Sequence, residues 1–134
     1  MRYTNCGDSM GTGYRKAFGK WGEEQAATYL ASKGYVILDC NYRFGHSEVD
    51  IIAEKDGILS FVEIKTRGNQ AYGLAEYAFT PAKLAALERA VYGYFDEHPD
   101  VPTRWSIDLL VVETSAPGQA PTFLFYENLG EALS

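Results

Sequence analysis

Asp50, a gap of twelve residues, and then Glu63-Ile64-Lys65 place two carboxylates and an ammonium close together in the chain. Carboxylate oxygens are the ligands that hard divalent cations take, and Mg²⁺ is commonly held by one or two of them together with water and a substrate phosphate. An ion so held polarises a phosphoryl oxygen and lowers the pKa of a bound water. A lysine beside it can orient that water or steady developing negative charge. The chemistry such residues suit is metal-assisted hydrolysis of a phosphate ester.

The elements that must position them are two strands, Ser47 to Glu54 and Ile58 to Thr66, around Asp56-Gly57. That dipeptide signals a two-residue hairpin turn, both of whose residues need positive φ. Lys55 then pairs with Ile58, Asp50 falls opposite Glu63, Glu48 opposite Lys65 and Ile52 opposite Phe61. Strict alternation puts Glu48, Asp50, Ile52, Phe61, Glu63 and Lys65 on one face and Val49, Ile51, Ala53, Val62 and Ile64 on the other, a core face. Opposed carboxylates repel across a Cβ separation of roughly 5 Å, and a divalent cation would offset this. The spacing alone equally allows a plain cross-strand pair of Glu48 with Lys65, worth a few tenths of a kcal/mol, and an Asp50 that points to water.

The remaining pattern supplies the frame. Trp21, Ala26, Ala27 and Leu30 mark a helix from Phe18 to Lys33 that Gly34 stops. Tyr35 to Leu38 is a strand that continues raggedly to Tyr42, and Gly68 to Thr80 is a loop or lid. Thr80-Pro81 opens a second helix as N-cap and first residue, with Leu84, Leu87, Val91, Tyr94 and Phe95 as its apolar stripe and His98-Pro99-Asp100 as its end. Arg104 to Glu113 is a nearly continuous apolar strand, Ser115 to Pro121 a loop and Thr122 to Tyr126 a short edge strand. The order α-β-β-β-α-β-β, with a helix between the third and fourth strands, predicts an α/β fold. Those two strands are parallel in a mixed central sheet flanked by helices.

Length and composition bound the function. The 134 residues suit a single domain, 14–134, after a Gly-, Ser-, Thr- and Asn-rich tail, 1–13, with no apolar run of signal-peptide type. No stretch reaches the ~18 apolar residues of a membrane helix. Cys6 and Cys40 have no metal-ligand spacing and read as two reduced thiols of a cytoplasmic protein. The net charge of −6 argues against strong unspecific nucleic-acid binding. That excess lies wholly beyond residue 90, where Arg104 faces seven carboxylates; the first ninety residues hold eleven basic and eleven acidic side chains.

Asp50 and Glu63-Ile64-Lys65 resemble the D…E-x-K signature of restriction-endonuclease-like nucleases. The runs Trp21-Gly22-Glu23-Glu24-Gln25-Ala26-Ala27, Gly34-Tyr35, Asn41-Tyr42-Arg43, Glu48-Val49-Asp50-Ile51-Ile52-Ala53 and Phe61-Val62-Glu63-Ile64-Lys65-Thr66-Arg67, with Lys83 and Arg104…Asp108, look more closely like the YraN-like family of bacterial proteins. The likeness runs from about Gly19 to Val112. It departs at Ser47, where the family usually has Gly, and in the longer spacing between Arg104 and Asp108. The resemblance implies the restriction-endonuclease-like core, shared with archaeal Holliday-junction resolvases. It also implies Mg²⁺ or Mn²⁺ held by Asp50, Glu63 and the Ile64 carbonyl. Glu23 matches the first-helix glutamate that joins the resolvase site, while Glu24, about 100° further round the helix, faces solvent.

Two functions follow as expectations. One is a metal-dependent phosphodiesterase of endonuclease type, acting on DNA or RNA, branched forms included; Lys65 helps activate water, and Glu48 holds Lys65 or a second water. Arg43, Arg67 and Lys83 are its candidate phosphate contacts, against their reading as solvated surface charge. His46 reads as a surface residue near the cluster, and Tyr72, Tyr77 and Phe79 as packed loop aromatics or base-stacking groups. The other function is a silent module on the same fold that binds nucleic acid or protein, for which the acidic last third suits a basic partner. A homodimer suits either.

Overall fold

The computed structural model describes residues 13–68, 79–114 and 119–128. Helix α1 (Gly13–Ser32) leads into three strands, β1 (Val36–Phe44), β2 (Ser47–Lys55) and β3 (Ile58–Gly68); helix α2 (Pro81–Glu97) then precedes β4 (Arg104–Thr114) and β5 (Thr122–Tyr126). The five strands form one mixed sheet in the order β1-β2-β3-β4-β5. β3 and β4 are parallel and the other neighbours antiparallel. The α/β architecture and element order are those expected.

Differences from the expected elements are local. Helix α1 begins at Gly13 rather than Phe18, because Arg15, Lys16 and Ala17 are good helix formers that extend it upstream of its apolar positions. The rest of the expected tail, most of the Gly68–Thr80 loop and part of the Ser115–Pro121 loop lie outside the described residues. Cys6 lies outside the described residues, and with it the reading of two reduced thiols. No described helix is long and apolar enough to cross a membrane.

Two cores sandwich the sheet. Under α2, Leu84, Leu87, Ala90, Val91 and Tyr94 meet Val49, Ile52, Leu59, Phe61, Ile107, Leu109 and Val111. Under α1, Ala26, Ala27 and Leu30 meet Ile51, Ala53, Val62, Ile64, Leu110 and Val112. Phe79 is buried in the α2 core, so its expected alternatives resolve to packing. Two glycines let the helices sit close. A Cβ on Gly22 of α1 would overlap the Thr66 side chain of β3, and one on Gly93 of α2 would overlap the Phe44 ring of β1.

The β2–β3 hairpin has the expected turn, with φ of 54° at Asp56 and 79° at Gly57. Its register is also the expected one, from Lys55 opposite Ile58 to Ile51 opposite Val62. There the ladder stops, one residue short of Asp50 and Glu63. Beyond it β2 stays paired only with β1, as far as Ser47 opposite Phe44, and β3 only with β4, as far as Gly68 opposite Thr114. The two middle strands therefore part, and the sheet forks at the carboxylates.

Candidate metal centre

At the fork the strict alternation read from sequence fails. Ile51 lies in the α1 core, yet Val49, two residues before it, lies in the α2 core. β1 inverts at the same level: Cys40 packs under α1 and Tyr42 under α2, while Cys40 pairs with Ile51 and Tyr42 with Val49. Between them stands Asn41, with φ of 55°. Left-handed backbone is tolerated by asparagine better than by most residues, and one such residue turns the strand over. The expectation that Glu48, Asp50, Ile52, Phe61, Glu63 and Lys65 share one face is thus corrected, because the inversion falls at Asp50.

The inversion and the fork together give Asp50 its surroundings. Its carboxylate accepts a 2.7 Å hydrogen bond from the backbone N–H of Ile64, which the parted β2 backbone no longer serves. Burial, then the charge of Glu63, pushes the Asp50 carboxyl up to about 8, against the lowering effect of that N–H; Glu23 and Glu48 push the same way. Glu63 is also raised by burial, opposed by Lys83 and Lys65. The Lys83 ammonium, from the first turn of α2, lies 3.3 Å from Glu63 Oε2. Glu23 reaches the cluster from α1: burial raises its pKa, a hydrogen bond from Asn41 lowers it, and Glu48, Glu63 and Glu24 raise it. Glu24 itself faces solvent and pairs with Lys20 at 3.6 Å.

The structure thus brings Asp50, Glu63, Glu48 and Glu23 into one field of mutual repulsion midway along the parallel pair β3–β4, where Glu63 stands opposite Leu109. Lys65 is exposed, and among the described residues it makes no ion pair. Each of the three expected phosphate contacts has a carboxylate partner of its own: Arg43 with Glu48 at 3.9 Å, Arg67 with Glu113 at 2.7 Å and Lys83 with Glu63. Arg43 remains three-quarters exposed. His46 is exposed in the β1–β2 turn, and Arg104 is exposed at the far end of β4.

Whether these residues fit a divalent ion rests on donor chemistry and placement. Buried carboxylates that raise one another's pKa lack positive charge, which a cation supplies. Against this, no three metal-ligating side chains gather about one point among the described residues. Two carboxylates with water and a phosphate suffice for Mg²⁺, and Asp50 and Glu63 meet that smaller requirement.

Sequence reasoning named Asn41 and Lys83 but missed what each does here. Asn41, inside a strand where asparagine is disfavoured, was itself a signal. The pairing of Lys83 with Glu63 depends on where α2 crosses the sheet, which no local pattern encodes.

Comparison with known proteins agrees with the extent of this arrangement. The model of the uncharacterised protein family UPF0102 matches residues 22–112, from the glycine that seats α1 to the end of the β4 core. A UPF0102 protein of Chloroherpeton thalassium is 40% identical over 96 residues, 72% of this chain and 74% of that protein. One from Syntrophomonas wolfei is 39% identical over 72% of this chain and 84% of its own length, and one from Roseiflexus castenholzii 38% identical over 81% and 88%. The matched span holds Glu23, Asn41, Glu48, Asp50, Glu63, Lys65 and Lys83 together, and the chain belongs to the UPF0102 family, as the YraN-like resemblance implied.

Proposed function

We propose that the fork is the active site of a metal-dependent phosphodiesterase acting on nucleic acid, cutting a backbone phosphate by hydrolysis. The observation that carries this reading is the parting of β2 and β3 where two half-buried carboxylates, Asp50 and Glu63, begin a cluster that Glu23 and Glu48 enlarge. A fold that only needed a stable sheet would continue the ladder and keep like charges apart.

Asp50 and Glu63 would hold Mg²⁺ or Mn²⁺, with the Ile64 carbonyl and Glu23 as further candidates. The ion would supply Lewis acidity to the phosphoryl group and acidity to a bound water. The chain's own residues do the rest. The Ile64 N–H fixes the rotamer of Asp50. Exposed Lys65 and Arg43 offer positive charge to a backbone phosphate at the mouth of the fork. The α1 core packs beneath Ile64 and the α2 core beneath Phe61, and the two hold the strands on either side of the fork in place. In the hydrolysis a water oxygen bonds to phosphorus, one ester P–O bond breaks, and the departing oxygen takes a proton.

The test is a panel of single-stranded, duplex and branched DNA and RNA with Mn²⁺. Cleavage is expected for at least one substrate and is expected to vanish in Glu63→Ala; cleavage that persists unchanged in that variant overturns the proposal. The lack of a preformed three-ligand group among the described residues favours a second reading, a binding module. Mn²⁺ titration separates the two: a module leaves Tm unchanged by Mn²⁺, whereas the phosphodiesterase is stabilised by it.

A further inference from the structure

Lys83 is an odd residue for its position. It is the third residue of α2, and its backbone N–H donates to Thr80 Oγ1 at 3.1 Å, so its Cα is fixed by the helix cap. Helix N-termini carry partial positive charge and favour anions, yet the first turn of α2 contains no acidic residue and this lysine. The local cost is offset by one contact, the 3.3 Å ion pair with Glu63. The Glu63 side chain is only 12% exposed, and a buried carboxylate must find a partner. Lys65 lies on the same strand two residues on and contributes charge without contact.

We propose that Lys83 is a resident counter-ion of the site: its ammonium neutralises Glu63 while no divalent ion is bound, and yields that place when one binds. The inference rests on the proposed metal-dependent reading. An ammonium and a divalent ion both within contact of one carboxylate repel strongly, so occupancy by one weakens the other. Four methylenes let the ammonium move without disturbing the capped backbone. Once displaced, it is free to serve a phosphate as a point charge. Ion and phosphate binding would then be coupled, since each improves the setting of the other.

The competition is measurable without any turnover. Mn²⁺ is titrated calorimetrically into the wild type, Lys83→Gln and Lys65→Gln. Lys83→Gln is expected to bind Mn²⁺ about tenfold more tightly, within the usual range for coupled sites, and Lys65→Gln to change affinity about twofold or less. Equal or weaker binding in Lys83→Gln overturns the counter-ion role and leaves the metal site standing. No binding in the wild type or in Lys83→Gln overturns both. A second measurement needs no variant. The ammonium resonance of Lys83, followed in ¹⁵N-labelled wild type, is expected to shift as Mg²⁺ saturates the protein; a resonance that stays in place at saturation overturns the proposal.

Discussion

The sheet holds two aspartates drawn out of water, half-buried Asp50 at the fork and fully buried Asp108 in the middle of β4, and they are treated in opposite ways. Asp108 is 1% exposed. Ser60 and Ser106 donate their hydroxyls to its Oδ2 and the backbone N–H of Asn128 donates to Oδ1 at 2.8 Å. Burial raises its pKa and these three donors bring it down, with Glu127 adding to the rise. Asp50 receives one N–H and faces Glu63, Glu23 and Glu48. One carboxylate is surrounded by donors and the other by acceptors. The first arrangement ties the segment after β5 to the sheet. The second leaves a carboxyl that gives up its proton with difficulty, and a bound cation would ease that.

Breaking the first aspartate gives the largest expected loss. Asp108→Ala strands a buried serine hydroxyl and a backbone N–H, and the expected cost is about 3 kcal/mol by urea denaturation. The loss should be the same with and without Mn²⁺. A cost below about 1 kcal/mol would show that Asp108 is not a latch.

Asp50→Asn should act with the opposite sign. The unfolded carboxyl titrates near its ordinary 3.8 and the folded one near 8. Between those limits the folded protein keeps a proton that the unfolded chain has released, so wild-type stability falls as pH rises through that window. Asparagine keeps the acceptor for the Ile64 N–H and has no charge to bury. In chelator, Asp50→Asn is expected to exceed the wild type by about 2 kcal/mol at pH 8, with the difference shrinking towards zero near pH 4. The same variant should lose the stabilisation by Mn²⁺. A variant less stable than wild type at pH 8 would mean Asp50 is paired like Asp108.

The contrast also explains what could be read in advance. The Asp56-Gly57 turn and the register from Lys55–Ile58 to Ile51–Val62 were legible because turn chemistry and alternation are local. So were the helices, since Thr80-Pro81 and the Leu84, Leu87, Val91, Tyr94 stripe are helical signals in themselves. The face assignment failed at Asp50 because alternation assumes an unbroken strand, and Asn41 on the neighbouring strand breaks it for both. The donors to Asp108 come from β3, β4 and the segment after β5, far apart in sequence. Their meeting is a property of the folded sheet.

The comparison can be sharpened at the point where α1 reaches the fork. Gly22 precedes Glu23 and lies against Thr66, with no room for a Cβ. Gly22→Ala gains helix propensity of about 1 kcal/mol but forces α1 away from β3, and a net loss of between about 1 and 2 kcal/mol is expected. Glu23 would move with the helix, so the Mn²⁺-induced rise in Tm should shrink more than the stability alone predicts. The equivalent change on α2, Gly93→Ala, overlaps Phe44 instead. It should lower stability while leaving that rise intact.

Asn41 gives the smallest and most discriminating effect, because its backbone and its side chain do separate things. Its positive φ turns β1 over, and its side chain donates to Glu23. Asn41→Gly keeps the first and removes the second; Asn41→Ala removes both. The alanine variant is expected to lose about 1 kcal/mol for the left-handed backbone, and the glycine variant about half of that or less. The Glu23 carboxyl, followed by ¹³C NMR, should titrate higher than wild type in both, since each lacks the hydrogen bond that lowers it. If its pKa rises in the alanine variant alone, Asn41 acts on the site only through the course of the strand. If it rises in both, the residue that inverts the sheet also tunes the carboxylate that α1 brings to the fork.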